Sequence, residues 1–293
     1  MSDSCAIVSG GLDSTTLVYD MLDKGYRPHL LSFDYGQRHK KELTFARATA
    51  QRLGLEFHVI DLRGITELIS NSALTSLPSR TYELLTDGEN LQVGKPVNMY
   101  DVAVPAIEVP EGHYAEDTMK QTVVPNRNMI MLSIAAGVAV NNKYKTIGFG
   151  VHSGDHFIYP DCRPRFVVNA GWAILSGNEG FHHFEEHLIN PPGEEESTPA
   201  YTPIYAPFLH KTKADIAYRA LELGVPIQHT WSCYKGGENH CGRCGTCVER
   251  LEAIDEACDR FGLAKEGRVV DKTVYDDSEY WKVAVREAAD RTP

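Results

Sequence analysis

Four cysteines fall within fifteen residues, Cys233, Cys241, Cys244 and Cys247, spaced C-x7-C-x2-C-x2-C with glycines between them. Four thiolates this close in the chain can take one metal tetrahedrally, and the glycines allow the tight reversals such a closure needs. The expected ion is zinc in a structural role, since a catalytic zinc keeps one position for water. An iron–sulfur cluster is the alternative that sulfur ligation alone leaves open. His240, beside Cys241, is a further donor, but four cysteines suffice and it is expected at the surface. A second group with chemical meaning lies near the N-terminus, where the apolar run Ala6–Val8 breaks into Ser9-Gly10-Gly11-Leu12-Asp13-Ser14-Thr15. A strand, a glycine turn and a helix together make an anion site. Glycines let backbone N–H groups close on a phosphate, the helix N-terminus adds free donors, and the hydroxyls add more. A Cβ at Gly10 is expected to intrude on the bound anion. The turn lacks the lysine of a Walker A loop and the G-x-G-x-x-G of a dinucleotide site. A capped helix after an ordinary turn is the plainer reading of the glycines alone.

Those residues need a scaffold, and the surrounding pattern supplies one. Cys5–Ser9 and His29–Phe33 are short apolar runs of strand length, and between them helical spacing from Thr15 stops at Gly25. Lys40–Gly54 reads as a second helix and Glu56–Leu62 as a third strand. This alternation predicts a Rossmann-like α/β fold, a parallel sheet with helices on both faces. From Ser70 to Thr122 the pattern is lost among Pro78, Pro96, Pro105 and Pro110, which suits either a substrate lid or a surface insertion. Asn128–Val140 is an apolar helix to be buried on most sides, and Lys145–Val151 a further strand. The stretch VHSGDHFIYPDCRPRF then places histidines, acids and arginines beyond that strand's C-terminal end, where open α/β sheets bind ligands. Arg163–Leu175 is expected to be helical, and Lys211–Gly224 is an amphipathic helix with a glycine stop. The polar loop Asn190–Pro199 marks the expected boundary between an α/β domain, 1–200 with an insertion at about 70–122, and a helical C-terminal region, 201–293, that carries the cysteines.

The composition, 42% apolar and 24% charged over 293 residues, is that of an ordinary globular chain. A net charge of −11 argues against broad nucleic-acid binding, which needs a basic face. No apolar run reaches the ~20 residues of a membrane span, and Met1-Ser2-Asp3-Ser4 has no basic segment of a secretion signal. The expectation is a cytoplasmic protein whose clustered cysteines bind metal rather than pair as disulfides.

SGGLDS, Ser9–Ser14, resembles the PP-loop of the ATP pyrophosphatases. FDYGQRH (Phe33–His39), VPNRN (Val124–Asn128), YPDCR (Tyr159–Arg163), KADI (Lys213–Ile216) and TWSCY followed by CGRCGTC occur in the order found in one branch of that superfamily. From Ala6 to about Arg250 the chain thus resembles the QueC family. The resemblance implies a ligase of queuosine biosynthesis that forms carbon–nitrogen bonds. It would use ATP, magnesium and ammonia to turn the carboxylate of 7-carboxy-7-deazaguanine into a nitrile through two adenylations. It also implies zinc at the four cysteines and a homodimer, with no membrane and no stable nucleic-acid partner. Val8, Ser9, Gly10, Gly11, Leu12, Asp13, Ser14, Thr15, Thr16, Leu17 and Val18 become the ATP-binding stretch, with Asp13 acting through magnesium. Asp13, Ser14, Arg127, Asp161 and Arg163 become the catalytic candidates; Tyr35, Gln37, Arg38, Arg127, Asp161 and Arg163 the substrate contacts. The fork of Arg127 suits a phosphate or a carboxylate, against the plainer reading of an arginine on a helix surface. Cys162 has only arginines near it to activate a thiol, so a structural role is expected. His39, His152 and His156 are proton carriers for the ammonia step or else hydrogen-bonded turn residues.

Two features depart from the family pattern: the 70–122 segment looks enlarged, and Ser153 stands where many members carry a glutamate, with Asp155 two residues along. They open an alternative in which the same adenylation chemistry joins a deazaguanine to a protein amine. A tRNA-thiolation enzyme would need a reactive cysteine pair and an RNA-binding module. A zinc protein without catalysis would leave the PP-loop unexplained.

Overall fold

The computed structural model describes residues 1–66, 72–75, 81–87, 90–97, 108–189, 200–262 and 271–291. Strand and helix alternate through β1 (Ser4–Ile7), α1 (Leu12–Asp23), β2 (Pro28–Asp34), α2 (Lys41–Leu53), β3 (Phe57–Asp61) and the short α3 (Arg63–Thr66). An antiparallel pair, β4 (Thr81–Asp87) and β5 (Asn90–Val97), comes next, followed by α4 (Glu116–Met119), α5 (Arg127–Asn142), β6 (Ile147–Gly148) and α6 (Pro164–Gly177). The chain then forms β7 (His187–Ile189), β8 (Ala200–Thr202), β9 (Ile204–Tyr205), α7 (Lys213–Glu222), α8 (Gly245–Phe261) and α9 (Tyr280–Arg291).

Five of the strands form one parallel sheet in the order β3-β2-β1-β6-β9. The central strand explains its two layers. Side chains alternate across a strand, so Cys5 packs with Leu132, Ala135 and Ala139 of α5, while Ala6 packs with Leu17, Val18 and Met21 of α1. Leu31 and Leu30 of β2 divide in the same way, and Ile174 of α6 and Ile216 of α7 thicken the respective layers. The α/β architecture with helices on both faces is therefore present as expected. Close packing leaves no spare volume: a Cβ built on Gly148 in β6 would stand 2.5 Å from the Met21 sulfur of α1.

The region from Ser70 to Thr122 is not patternless where it is described. β4 and β5 pair with each other and with no other described strand. Its flanks are tied to the main domain: Gln37 bridges to Thr75, and Glu111 to Cys244. The loop Asn190–Pro199 lies outside the described residues, and β9 of the main sheet comes after residue 200.

The stretch Lys120–Asn142 is apolar and long enough, by length and composition alone, to cross a membrane. In the fold it is broken at Pro125 and Asn126, the latter at φ 58°, and the continuous helix has 16 residues. At 1.5 Å per residue that is about 24 Å, short of a ~30 Å hydrocarbon core. Its inner face, Met131, Leu132, Ala135 and Ala139, is occupied by the sheet.

Candidate active site

The glycine turn leaves β1 at its C-terminal end, and the site begins there. α1 starts at Leu12, three residues earlier than its apolar spacing shows, so Asp13 and Ser14 belong to its first turn. No side chain caps this helix, so its first-turn N–H groups and dipole remain available to an anion. The turn is held from within: Ser9 N and Gly10 N each donate to Ser14 Oγ at 3.2 Å, and Gly11 N donates to Ser9 Oγ at 3.2 Å. Gly10 has φ +91°, and its missing Cβ faces α2, not the cleft: it would lie 2.3 Å from the Glu42 carbonyl oxygen and 2.7 Å from Ala46 N. The turn therefore needs this glycine for backbone packing, a correction to the expectation that its Cβ would strike the anion.

Beyond the turn opens a cleft of about 210 Å³. Of the residues singled out from sequence, Val8, Ser9, Gly11, Leu12, Asp13, Ser14, Tyr35 and Arg127 line it. Others serve around it. Thr15 and Thr16 are fully buried, Thr16 returning its hydroxyl to Leu12 O at 2.7 Å, and Leu17 and Val18 are core. Gln37 braces the loop after β2, accepting from Tyr35 N at 2.9 Å and donating to Phe33 O at 3.0 Å. Arg38 turns toward Thr75 O, Asp161 accepts the Asn128 N–H at the start of α5, and Arg163 donates to His156 O. Cys162 lines the cleft but is 3% exposed, and burial holds its thiol well above the usual range.

One end of the cleft is ionic. Lys213, at the start of α7, reaches Asp13 Oδ2 at 2.6 Å and Glu249 Oε2 of α8 at 3.4 Å. Burial works against both charges, yet Lys213 keeps the Asp13 carboxyl below its ordinary value, and Asp13 and Glu249 hold the ammonium above its own. Asp13 Oδ1 is left buried without a hydrogen-bond partner among the described residues. Nearby, Asp155 accepts from Tyr114 OH at 2.9 Å and lies 3.5 Å from His152 Nε2. His152 Nδ1 accepts the Gly154 N–H, so the ring proton sits on Nε2 and faces Asp155. Lys213 follows Thr212, which forms a capping box with Asp215; that T-x-x-D signal marks the helix start but says nothing of where the lysine reaches.

The other end is aromatic and holds one cation. Arg127 donates to Tyr35 OH at 3.3 Å with its guanidinium 5.7 Å from that ring. No described carboxylate pairs with it among the ion pairs of the fold. His39 and Glu42 stand on the same side, with the Tyr234 ring tilted by 30° against the imidazole at 5.0 Å. Burial pushes His39 down to about 3 and Glu42 up to about 8, so both are neutral near pH 7.

The four clustered cysteines converge. Their sulfurs lie within 4.8 Å of one another, with 3.9 Å between Cys241 and Cys247. In a tetrahedron of ~2.3 Å metal–sulfur bonds the sulfurs stand about 3.8 Å apart, so the cluster is compatible with zinc. Backbone N–H groups of Cys244 and Arg243 donate to Cys241 Sγ at 3.2 and 3.4 Å, and that of Cys241 to Cys233 Sγ at 3.4 Å, which favours thiolates. His240 is not at the surface: it is 3% exposed, lies between the Trp231 and Tyr275 rings, and accepts the Ser232 N–H on Nε2. Tyr275, far along the chain, covers it.

Residues 3–258 match the family model described as "Queuosine biosynthesis protein QueC". The 7-cyano-7-deazaguanine synthase of Brucella anthropi is 43% identical over 281 residues, covering 96% of this chain and 97% of that protein. The synthase of Brucella ovis is 42% identical over the same share of each. Among solved structures, an NMN synthetase from Francisella tularensis aligns with a TM-score of 0.41 and 10% identity, covering 100% of this chain and 88% of that one.

Proposed function

Because the chain belongs to the QueC family of queuosine biosynthesis proteins, we infer that it is an ATP-dependent ligase with the activity its relatives are named for. That activity turns 7-carboxy-7-deazaguanine and ammonia into 7-cyano-7-deazaguanine. A carboxylate oxygen attacks the α-phosphorus of ATP and pyrophosphate leaves. Ammonia then displaces AMP to give the amide. The amide oxygen is adenylated by a second ATP, and loss of AMP gives the nitrile.

The reading is carried by one observation: the family match spans every residue that lines the cleft, from Ile7 to Thr246. The N–H groups of the glycine turn and the uncapped start of α1 suit the leaving pyrophosphate, where negative charge gathers in the transition state. Asp13, with Oδ1 free of partners, suits magnesium, which when bound neutralises phosphate charge. Lys213 keeps that carboxylate ionised and aimed. Arg127 offers an unpaired cation to an anion at the aromatic end. The four cysteines suit a structural zinc that fixes the wall bearing Trp231 and Ser232. Acceptance of a protein amine has no support among these relatives.

Three further expectations belong to this reading. None of the seven cysteines forms a disulfide, which supports a cytoplasmic location. The net charge of −11 supports small-molecule substrates over nucleic acid. Leu188 and Tyr201, paired across β7 and β8, are half exposed, as is Trp172 on the neighbouring α6; this apolar surface supports a homodimer.

The test is product analysis. Incubation with ATP, 7-carboxy-7-deazaguanine and ¹⁵N-ammonium is expected to yield labelled nitrile by mass spectrometry, with AMP released twice per nitrile. Amide as the end product, or no AMP at all, would sink the reading.

A further inference from the structure

His39 and Glu42 stand one helical turn apart where the loop after β2 enters α2, and both line the aromatic end of the cleft. His39 is 2% exposed. Its Nε2 lies 3.5 Å from Glu42 Oε2, while Nδ1 is buried with no hydrogen-bond partner among the described residues. Such an orphan is destabilising, and native folds keep few of them, a partner from outside the protein being one explanation. The Tyr234 ring packs against the imidazole, centroids 5.0 Å apart and planes tilted by 30°. Gln37 Nε2 donates to Glu42 Oε1 at 3.1 Å and fixes the carboxyl. Two buried polar groups are thus held rigidly at the edge of a cavity whose flat, apolar walls include Phe33, Tyr35 and Tyr234.

With the imidazole proton on Nε2, His39 Nδ1 is an acceptor, and Oε1 of the neutral Glu42 carboxyl, the oxygen that accepts from Gln37, keeps a second lone pair as another. Two acceptors on one wall match a planar ring with two neighbouring donors. A guanine-type base has that edge: an N1–H beside an exocyclic 2-amino group. An adenine-type edge would set its own N1 acceptor against them. We propose that His39 and Glu42 form the subsite that reads the guanine-type edge of the substrate, Glu42 accepting from N1–H and His39 Nδ1 from the 2-amino group. The assignment rests on the synthase reading above and names the residues that choose its substrate. It leaves Arg127, on the same side of the cleft, for the acidic part of the ligand.

The experiment compares kcat/KM for 7-carboxy-7-deazaguanine and for its analogue without the 2-amino group, in the wild type, His39→Phe and Glu42→Leu. KM for ATP is measured alongside. A site built to hydrogen-bond a group discriminates strongly against its absence, so the wild type should prefer the 2-amino compound by about 10²-fold or more. His39→Phe should cut that preference at least ~10-fold with KM for ATP held within about twofold. Glu42→Leu should lose ~10-fold or more on both compounds alike, since both carry N1–H and the variant keeps no acceptor for it. His39→Phe with the wild-type preference overturns the subsite. If that variant does not fold, Glu42→Leu decides: wild-type kcat/KM on both compounds overturns the subsite, and a parallel loss supports it. A wild type that forms no AMP with either compound overturns the synthase reading itself, a result distinct from an active wild type with unaltered variants.

Discussion

The backbone N–H of Trp231 donates to the Gly10 carbonyl at 2.8 Å, so the segment leading into the cysteine cluster holds the glycine turn directly. Arg250, fully buried on α8, secures that segment from behind through Thr230 Oγ1 at 2.6 Å and Ser232 Oγ at 3.3 Å. The cysteine cluster and the glycine turn are therefore neighbours in one wall.

Loss of the metal should consequently be felt in the turn. Cys244→Ser is expected to lower zinc content and stability together, by several kcal/mol, because binding at a closed thiolate site is coupled to folding. The KM for ATP should rise with it. Metal analysis and denaturant unfolding of the same preparation test this; a variant that loses zinc but unfolds like the wild type would contradict the coupling. Stoichiometric iron with visible absorbance would replace zinc by a cluster.

The two glycines of the turn should separate in their effects. Gly10→Ala must place a Cβ 2.3 Å from a backbone oxygen at φ +91°, so it should destabilise the fold by more than ~2 kcal/mol. Gly11 has φ −73°, and its Cβ would meet Ser9 Oγ at 3.3 Å and the Trp231 carbonyl oxygen at 3.4 Å. Gly11→Ala should therefore fold with a loss within about 1 kcal/mol, yet bind ATP less well because the added methyl stands in the cleft wall. Thermal unfolding beside ATP titration distinguishes the pair; equal destabilisation would refute the packing account.

Asp13→Ala should abolish most ATP-dependent AMP formation, at least ~10²-fold, while the fold persists. Its side chain is 23% exposed, and Lys213 retains Glu249 at 3.4 Å. Pyrophosphate release measured on the folded variant checks it, and a rate near the parent's would remove Asp13 from the phosphate site.

What could be read in the sequence was local. The strand–turn–helix at Ser9–Ser14 and the C-x7-C-x2-C-x2-C spacing are each contained in one short stretch, so their chemistry shows before folding. The cleft's other half is not local. Lys213, Glu249 and Glu42 come from separate elements that the parallel sheet and its crossovers bring together. Lys213 looks like any lysine opening a capped helix, and Glu249 like any acid in the helix after the cysteines. His240 was legible as a neighbour of Cys241 but not as a buried ring, because its cover, Tyr275, follows 35 residues later (275 − 240). The β4–β5 pair leaves only a weak trace, strand-forming residues on either side of a short polar stretch, outweighed by the prolines around it.

The final prediction concerns pH and the His39–Glu42 pair. His39 is held at about 3 in the fold against 6.5 in an unfolded chain, by burial and then by the Arg127 charge. Between those values the unfolded chain binds the extra proton, so this group's contribution to stability rises with pH and is complete above 6.5. Glu42 is the opposite case, pushed by burial from 4.5 up to about 8. Between 4.5 and 8 the folded chain binds the extra proton, so its contribution falls as pH rises. From this pair alone stability should climb from pH 3 to 4.5, stay level to 6.5 while the two slopes cancel, and decline from 6.5 to 8. Each sloping limb is at most about 1.4 kcal/mol per pH unit, the value for one proton. Glu42→Gln removes the carboxyl that must ionise and should flatten the alkaline limb while leaving the acid limb in place. Urea unfolding of both proteins across pH 3 to 8.5 measures this directly. An alkaline limb equally steep in the variant would show that Glu42 is not the buried acid responsible.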